Sequence, residues 1–244
     1  MKSIKQLISV MLIAALMVCV CACSGSTGTE ESSNNEKPSE PVSGGWAINE
    51  EGSAELPEEV KKAFDSVTSE LMGTELEPVA YVGSQVVAGM NYMVLCRATT
   101  VTENPVTNYQ MLVMYVDLEG KAKLNALTDF DVTKYIEGEG TLNTEVMTGG
   151  WYVPDDACGS DIPDEVSAAF DKAASQAAWS WSKIAPLAYL SSQVVAGTNY
   201  ALLCKAEAPN DAPATIVVVT VYEDLEGNAE ITNTCGLDLA EFNE

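Results

Sequence analysis

The sequence predicts an α+β protein in which one fold is built twice, each copy an antiparallel sheet wrapped around one α-helix. Three observations carry that reading. Segments of the first half return in the second at an offset that drifts only between 105 and 108 positions. A helical apolar period follows a proline in each copy, and a strand-like alternation follows a second proline.

The repeat is explicit. Gly44-Gly45-Trp46 returns as Gly149-Gly150-Trp151, Pro57-Glu58-Glu59-Val60 as Pro163-Asp164-Glu165-Val166, and Pro78 as Pro186. Ser84 to Gly89 (SQVVAG) with Asn91-Tyr92 returns as Ser192 to Gly197 with Asn199-Tyr200. Tyr115 and Asp117 to Gly120 (DLEG) return as Tyr222 and Asp224 to Gly227. The copies are assigned to residues 44–136 and 149–244, each of a usual domain size, joined by a polar linker at 137–148.

Within each copy a short extended piece follows Gly-Gly-Trp. Pro57 or Pro163 then opens a helix, where a missing backbone donor costs nothing and the acidic residues that follow complement the dipole. Val60, Phe64, Val67 and Leu71 recur at helical spacing, as do Val166, Phe170, Ala173 and Ala177. Pro78 and Pro186 exclude helix beyond them. Tyr92, Val94, Cys96 and Ala98 then alternate with Met93, Leu95 and Arg97, and further strands run through Met111–Tyr115 and Lys121–Leu127 around a Glu-Gly turn.

Charge and composition narrow the function. The 244 residues hold 12 Lys+Arg against 36 Asp+Glu, a formal charge of −24, with no histidine. Such a surface lacks the clustered basic groups that nucleic acid requires, so no nucleic acid partner is expected. Without histidine there is no Ser-His-Asp or Cys-His catalysis and no His-ligated metal. The chain is read as not an enzyme, with no cofactor and no metal. Asp155, Asp156 and Asp161 match no EF-hand spacing and are read as a solvated loop.

The amino terminus reads as an address. Lys2 and Lys5 precede an apolar run from Leu7 to Val20, the length of a signal core and shorter than the roughly 20 residues of a spanning helix. Val20 and Ala22 before Cys23 resemble the lipobox of bacterial lipoproteins, which implies a signal peptide at 1–22 and lipidation at Cys23. Residues 23–43 are polar, with Val42 their one bulky apolar side chain, and are read as a disordered tether. Loss of Lys2 and Lys5 with the signal leaves a net charge of −26. The expected location is outside the cell, anchored by lipid to the outer face of a bacterial membrane.

Gln85-Val86-Val87-Ala88-Gly89 and Gln193-Val194-Val195-Ala196-Gly197, each followed by Asn-Tyr, resemble the signature of cystatins, the inhibitors of papain-like cysteine proteases. Gly-Gly upstream, a helix between and a tight hairpin downstream stand where a cystatin has them. The resemblance implies non-covalent inhibition by a wedge that fills the protease cleft. It matches Gly44 and Gly149 to the N-terminal glycine, Gln85–Gly89 and Gln193–Gly197 to the first hairpin loop, and Leu118 and Leu225 to the tryptophan of the second hairpin. Where the family carries Pro-Trp, this chain has Asp117-Leu118 and Asp224-Leu225, and tryptophan is the stronger interface anchor.

The remaining candidates are structural. Cys96 and Cys204 hold the same repeat position and read as buried, inert thiols. Cys158 and Cys235 occur only in the second copy, and gained together in an exported protein they read as a disulfide pair. Trp179 and Trp181 read as packing or surface residues rather than a cofactor stack. The functional expectation is a surface-tethered, two-headed inhibitor whose partner is a papain-like cysteine protease, of host or bacterial origin. The competing reading is a non-inhibitory module on the same scaffold.

Overall fold

The structure is a computed structural model that describes residues 44–49, 55–136, 142–143, 149–153, 161–210 and 212–243. The signal, Cys23, the tether and Cys158 lie outside those residues, as does most of the linker. Among the described residues no helix is long and apolar enough to cross a membrane.

The first copy runs β1 (Trp46–Ile48), α1 (Glu58–Thr68), β2 (Thr74–Val87), β3 (Gly89–Thr100), β4 (Thr107–Val116) and β5 (Ala122–Asp129). After the short β6 (Leu142–Asn143), the second repeats it with β7 (Trp151–Tyr152), α2 (Asp164–Gln176), β8 (Lys183–Val195), β9 (Gly197–Glu207), β10 (Thr215–Glu223) and β11 (Ala229–Gly236). The class is α+β: two sheets, in orders β1-β2-β3-β4-β5 and β11-β10-β9-β8-β7-β6, antiparallel except where β6 joins β7 in parallel. Part of the expected linker is therefore an added edge strand.

Local chemistry explains each boundary. Pro57 and Pro163 occupy the N-cap, one residue before the first helical turn, with two acidic residues behind each. Both helices stop earlier than the apolar period suggests. Leu71 and Ala177 lie beyond Thr68 and Gln176 and are half-buried outside the helix. Pro78 and Pro186 do not precede their strands but sit inside β2 and β8, each beside a register shift. A residue with no backbone donor is tolerated there because a bulge interrupts the ladder.

Each sheet buries two faces. On one, α1 places Val60, Ala63, Phe64 and Val67 against Tyr92, Val94, Cys96 and Leu112. In the same way α2 packs Val166, Ala169, Phe170 and Ala173 on Leu202, Cys204, Val217 and Val219. Trp179 and Trp181 pack half-buried at that second helix, and the Trp179 indole donates to the Ala174 carbonyl at 2.9 Å. Cys96 and Cys204 are fully buried, and desolvation pushes both thiols far up, so neither is a nucleophile.

The second face carries the larger finding. Met93, Leu95, Met111 and Val113 of the first sheet share one core with Leu190, Leu203, Ile216 and Val218 of the second. The copies are layers of one body, helix on sheet on sheet on helix, rather than beads on a linker. Tyr109 is fully buried in this seam and donates its hydroxyl to the Leu190 carbonyl at 2.7 Å. Two short 3-10 turns add to this core, Val132–Lys134 and Leu239–Phe242, begun by Asp131 and Asp238, whose carboxylates accept from Thr133 N and Ala240 N, and the Phe242 ring lies 6.0 Å from that of Phe130. Trp151 is fully buried here, and Trp46 packs against the same core. Lys205 is only 6% exposed and sits 3.4 Å from the Glu207 carboxylate.

Candidate functional site

In an antiparallel meander the β2–β3 and β4–β5 connections fall at the same end of the sheet, and the chain entering β1 arrives there too. Gly44, Val86–Gly89 and Leu118 of the first copy are thereby brought to one edge, and Gly149, Val194–Gly197 and Leu225 to one edge of the second. Backbone bonds fix the entering segment: Gly44 N donates to Val86 O at 3.2 Å and Gly149 N to Val194 O at 2.9 Å.

The signature glutamines face inward on this frame. The Gln85 amide donates to Gly44 O at 3.0 Å and accepts from Asn91 Nδ2 at 2.8 Å. Gln193 donates to Gly149 O at 3.1 Å and accepts from Asn199 Nδ2 at 2.7 Å. One side-chain amide thus brackets the entering segment, the first hairpin and the following Asn. The repeat of Gln and Asn in both copies has this internal cause.

The hairpin tip is equally constrained. Gly89 and Gly197 have φ of +130° and +126°, and a Cβ at either would run into the carbonyl oxygen of Val116 or Glu223. The hairpins are then tied together: Tyr115 donates its hydroxyl to Ala88 O at 2.5 Å and Tyr222 to Ala196 O at 2.6 Å. Neither Asn91 and Asn199 nor Tyr115 and Tyr222 stood out as site residues in the sequence. Their reappearance at matching positions of both copies was the available signal.

The second hairpin is built on its aspartate. Asp117 Oδ1 accepts from Glu119 N at 3.1 Å and Lys121 N at 2.8 Å. Asp224 Oδ1 accepts from Glu226 N at 2.9 Å and Asn228 N at 2.7 Å, and its Oδ2 from the Asn228 side chain at 2.8 Å. The Asn228 hydrogen bonds, side chain first, hold Asp224 below the usual carboxylate range. Each aspartate shapes the turn, and the leucine beside it is held out, Leu118 at 83% and Leu225 at 80% exposure.

What remains free is short and apolar. Val87, Ala88 and Leu118 are exposed at one edge; Val194, Val195, Ala196 and Leu225 at the other. Val86 is half-buried and Gly197 buried. The edges lie at opposite ends of the body. Gly44, Trp46 and Gln85 line a cleft of about 340 Å³ with Thr215 and Asp238, and Thr215 begins β10 at the end of its sheet away from its own hairpins.

No group of three or more His, Cys, Asp or Glu side chains is placed to hold a metal ion among the described residues. Cys235 is a half-buried thiol without a disulfide partner among them, while Cys158, its expected partner, lies outside them. No family model and no curated protein matches the chain. Among solved structures it is similar to an "Ntf2 like protein involved in plasmid conjugation" at 13% identity, covering 77% of this chain and 93% of that one, with a TM-score of 0.21. A likeness of that size carries no argument.

Proposed function

We propose that the chain is a double-ended, non-covalent inhibitor of papain-like cysteine proteases, with one cystatin-like wedge at each end of a single body. The observation that supports it most is the pairing of rigidity with exposure. Val87, Ala88 and Leu118 stand in solvent on turns braced by Tyr115, Asp117 and Gln85, and the second copy repeats the arrangement. Apolar tips held in one conformation lose little entropy on entering a cleft, which is what a tight interface of standard size requires. Lipid anchorage through Cys23 outside a bacterial cell belongs to the same proposal, since a tethered inhibitor meets proteases that approach the surface. The experiment is a titration of papain with the full chain: inhibition with a nanomolar constant supports the proposal, and folded chain that leaves papain fully active at micromolar concentration refutes it.

A second reading, a non-inhibitory module on the cystatin-like scaffold, draws on two observations. Gln85 and Gln193 spend their amides inside the frame, and leucine replaces the tryptophan of the second hairpin. It is separated from the first by the same titration.

A further inference from the structure

The two edges carry the same tip sequence, Val-Val-Ala-Gly with a leucine on the second hairpin, and different charges. In the first copy the second hairpin, Tyr115 to Lys123, sets Asp117 and Glu119 against Lys121 and Lys123, so it is neutral overall. In the second, Tyr222 to Glu230 carries Glu223, Asp224, Glu226 and Glu230 with no basic residue. Three repeat positions make the difference: Val116 becomes Glu223, Lys121 becomes Asn228 and Lys123 becomes Glu230.

The structure places these charges where a partner would meet them. Glu226 and Glu230 are exposed, and Glu226 directly follows Leu225. Glu223 accepts from the Tyr200 hydroxyl at 3.3 Å on the helix side of the same hairpin. Lys172 reaches this turn from α2 and donates to the Gly227 carbonyl; its charge stays beside Asp224 and offsets one of the four carboxylates, leaving the hairpin with a surplus of three negative charges. In the first copy Lys123 lies 4.9 Å over the Tyr115 ring, the tyrosine that braces the first hairpin. Neighbours one or two places along a chain stand within about 7 Å, inside the roughly 10 Å Debye length at 0.1 M salt, so the carboxylates beside Leu225 act on whatever Leu225 enters.

We propose that the two ends select partners by charge: the second copy's edge engages a papain-like protease whose cleft rim is basic, while the first copy's edge is indifferent to that charge. This rests on the inhibitor reading above. Complementary charge at an interface rim acts chiefly on the rate of association and on its salt dependence, while the apolar tips set how long the complex lasts. The body therefore carries one general end and one end steered toward cationic targets.

The test uses the full chain with one end silenced at a time, Val87→Asp to leave the second edge and Val195→Asp to leave the first. Association with papain is followed from low to high salt, with the papain lysines intact or succinylated, a change that turns each positive side chain negative. At the second edge, the association rate should fall about tenfold or more between low and high salt, and by a similar factor on succinylation at low salt. At the first edge both changes should stay within about twofold. Glu226→Lys with Glu230→Lys should flatten the dependence at the second edge, and Val116→Glu with Lys123→Glu should install it at the first. Equal slopes at the two edges would overturn charge selection and leave the inhibitor reading standing. Absence of binding at both edges at every salt overturns the inhibitor reading, and charge selection with it.

Discussion

Leu95 and Leu118 belong to the same copy and have opposite fates: one is sealed between two sheets at no exposure, and the other stands 83% exposed at a hairpin tip. The same contrast separates Leu203 from Leu225 in the second copy. Met72, Val101 and Val106 are exposed as well, away from these hairpins, but Leu118 and Leu225 are held out by a local cause. Turn chemistry keeps them out. Asp117 and Asp224 fold the second hairpins on backbone amides, and Tyr115 and Tyr222 tie them to the first. The seam between the sheets holds a fully buried core, and the second-hairpin leucines lie outside it.

That contrast breaks most visibly in the seam. Leu95→Ala or Leu203→Ala should each cost about 2–5 kcal/mol, the range for a buried leucine truncated in a core that relaxes only partly. Because the core is common, either change should lower a single unfolding transition shared by both copies in scanning calorimetry. Two separated transitions, with only the mutated copy affected, would show that the copies are independent after all.

Gly197→Ala comes next. It forces a side chain onto φ +126° and into the Glu223 carbonyl, so a loss of more than about 1 kcal/mol is expected from denaturant unfolding, together with weaker binding at the second edge only. Tyr222→Phe removes one hydrogen bond to a solvent-facing carbonyl and should cost about 0.5–1 kcal/mol or less. Its clearer signature is faster dissociation of a bound protease, because the Val195-Ala196 tip is no longer braced. A Tyr222→Phe chain that dissociates as slowly as the parent would remove the brace from the mechanism.

The smallest effect is set by pH. Asp224 is held below the usual carboxylate range in the folded chain, so its contribution to stability is full above the unfolded value and is lost as pH falls through the depressed folded value. Asp224→Ala should therefore be less stable than the parent at neutral pH, with the gap closing only in strong acid. A gap that does not change with pH would mean that the turn does not depend on the ionised carboxylate.

Much of the fold was legible because it is local or repeated. Helix starts at Pro57 and Pro163, hairpins at Ala88 and Ala196, and the burial of Cys96 and Cys204 follow from spacing within a dozen residues. The seam did not, since alternation at Tyr92–Ala98 says that two faces differ and not what covers the second one. Arg97 and Lys205 end that face, and Lys205 is buried beside Glu207. The stronger clue was an unbroken apolar run in the corresponding strand of each copy, Met111–Met114 and Ile216–Val219: a strand without alternation is buried on both sides. Of the candidate site, the tips could be read from the repeated Val-Val-Ala-Gly. The bracket could not, because Gln85 reaches a carbonyl 41 positions upstream and no short-range pattern reports such a pairing.

Inhibition at either end depends on the tips. Val87 and Val195 are 40% and 39% exposed at the ends of β2 and β8, so Val87→Asp and Val195→Asp should cost about 1 kcal/mol and leave the chain folded, far less than truncation of a leucine in the seam. A carboxylate in an apolar cleft would be stripped of water without a partner, and binding at the mutated edge should be lost. Titration of papain with the parent, the two single variants and the double variant measures this directly. The prediction is two proteases bound per parent chain, one per single variant and none for a double variant that stays folded; a folded double variant that inhibits papain as well as the parent would contradict the wedge at both ends.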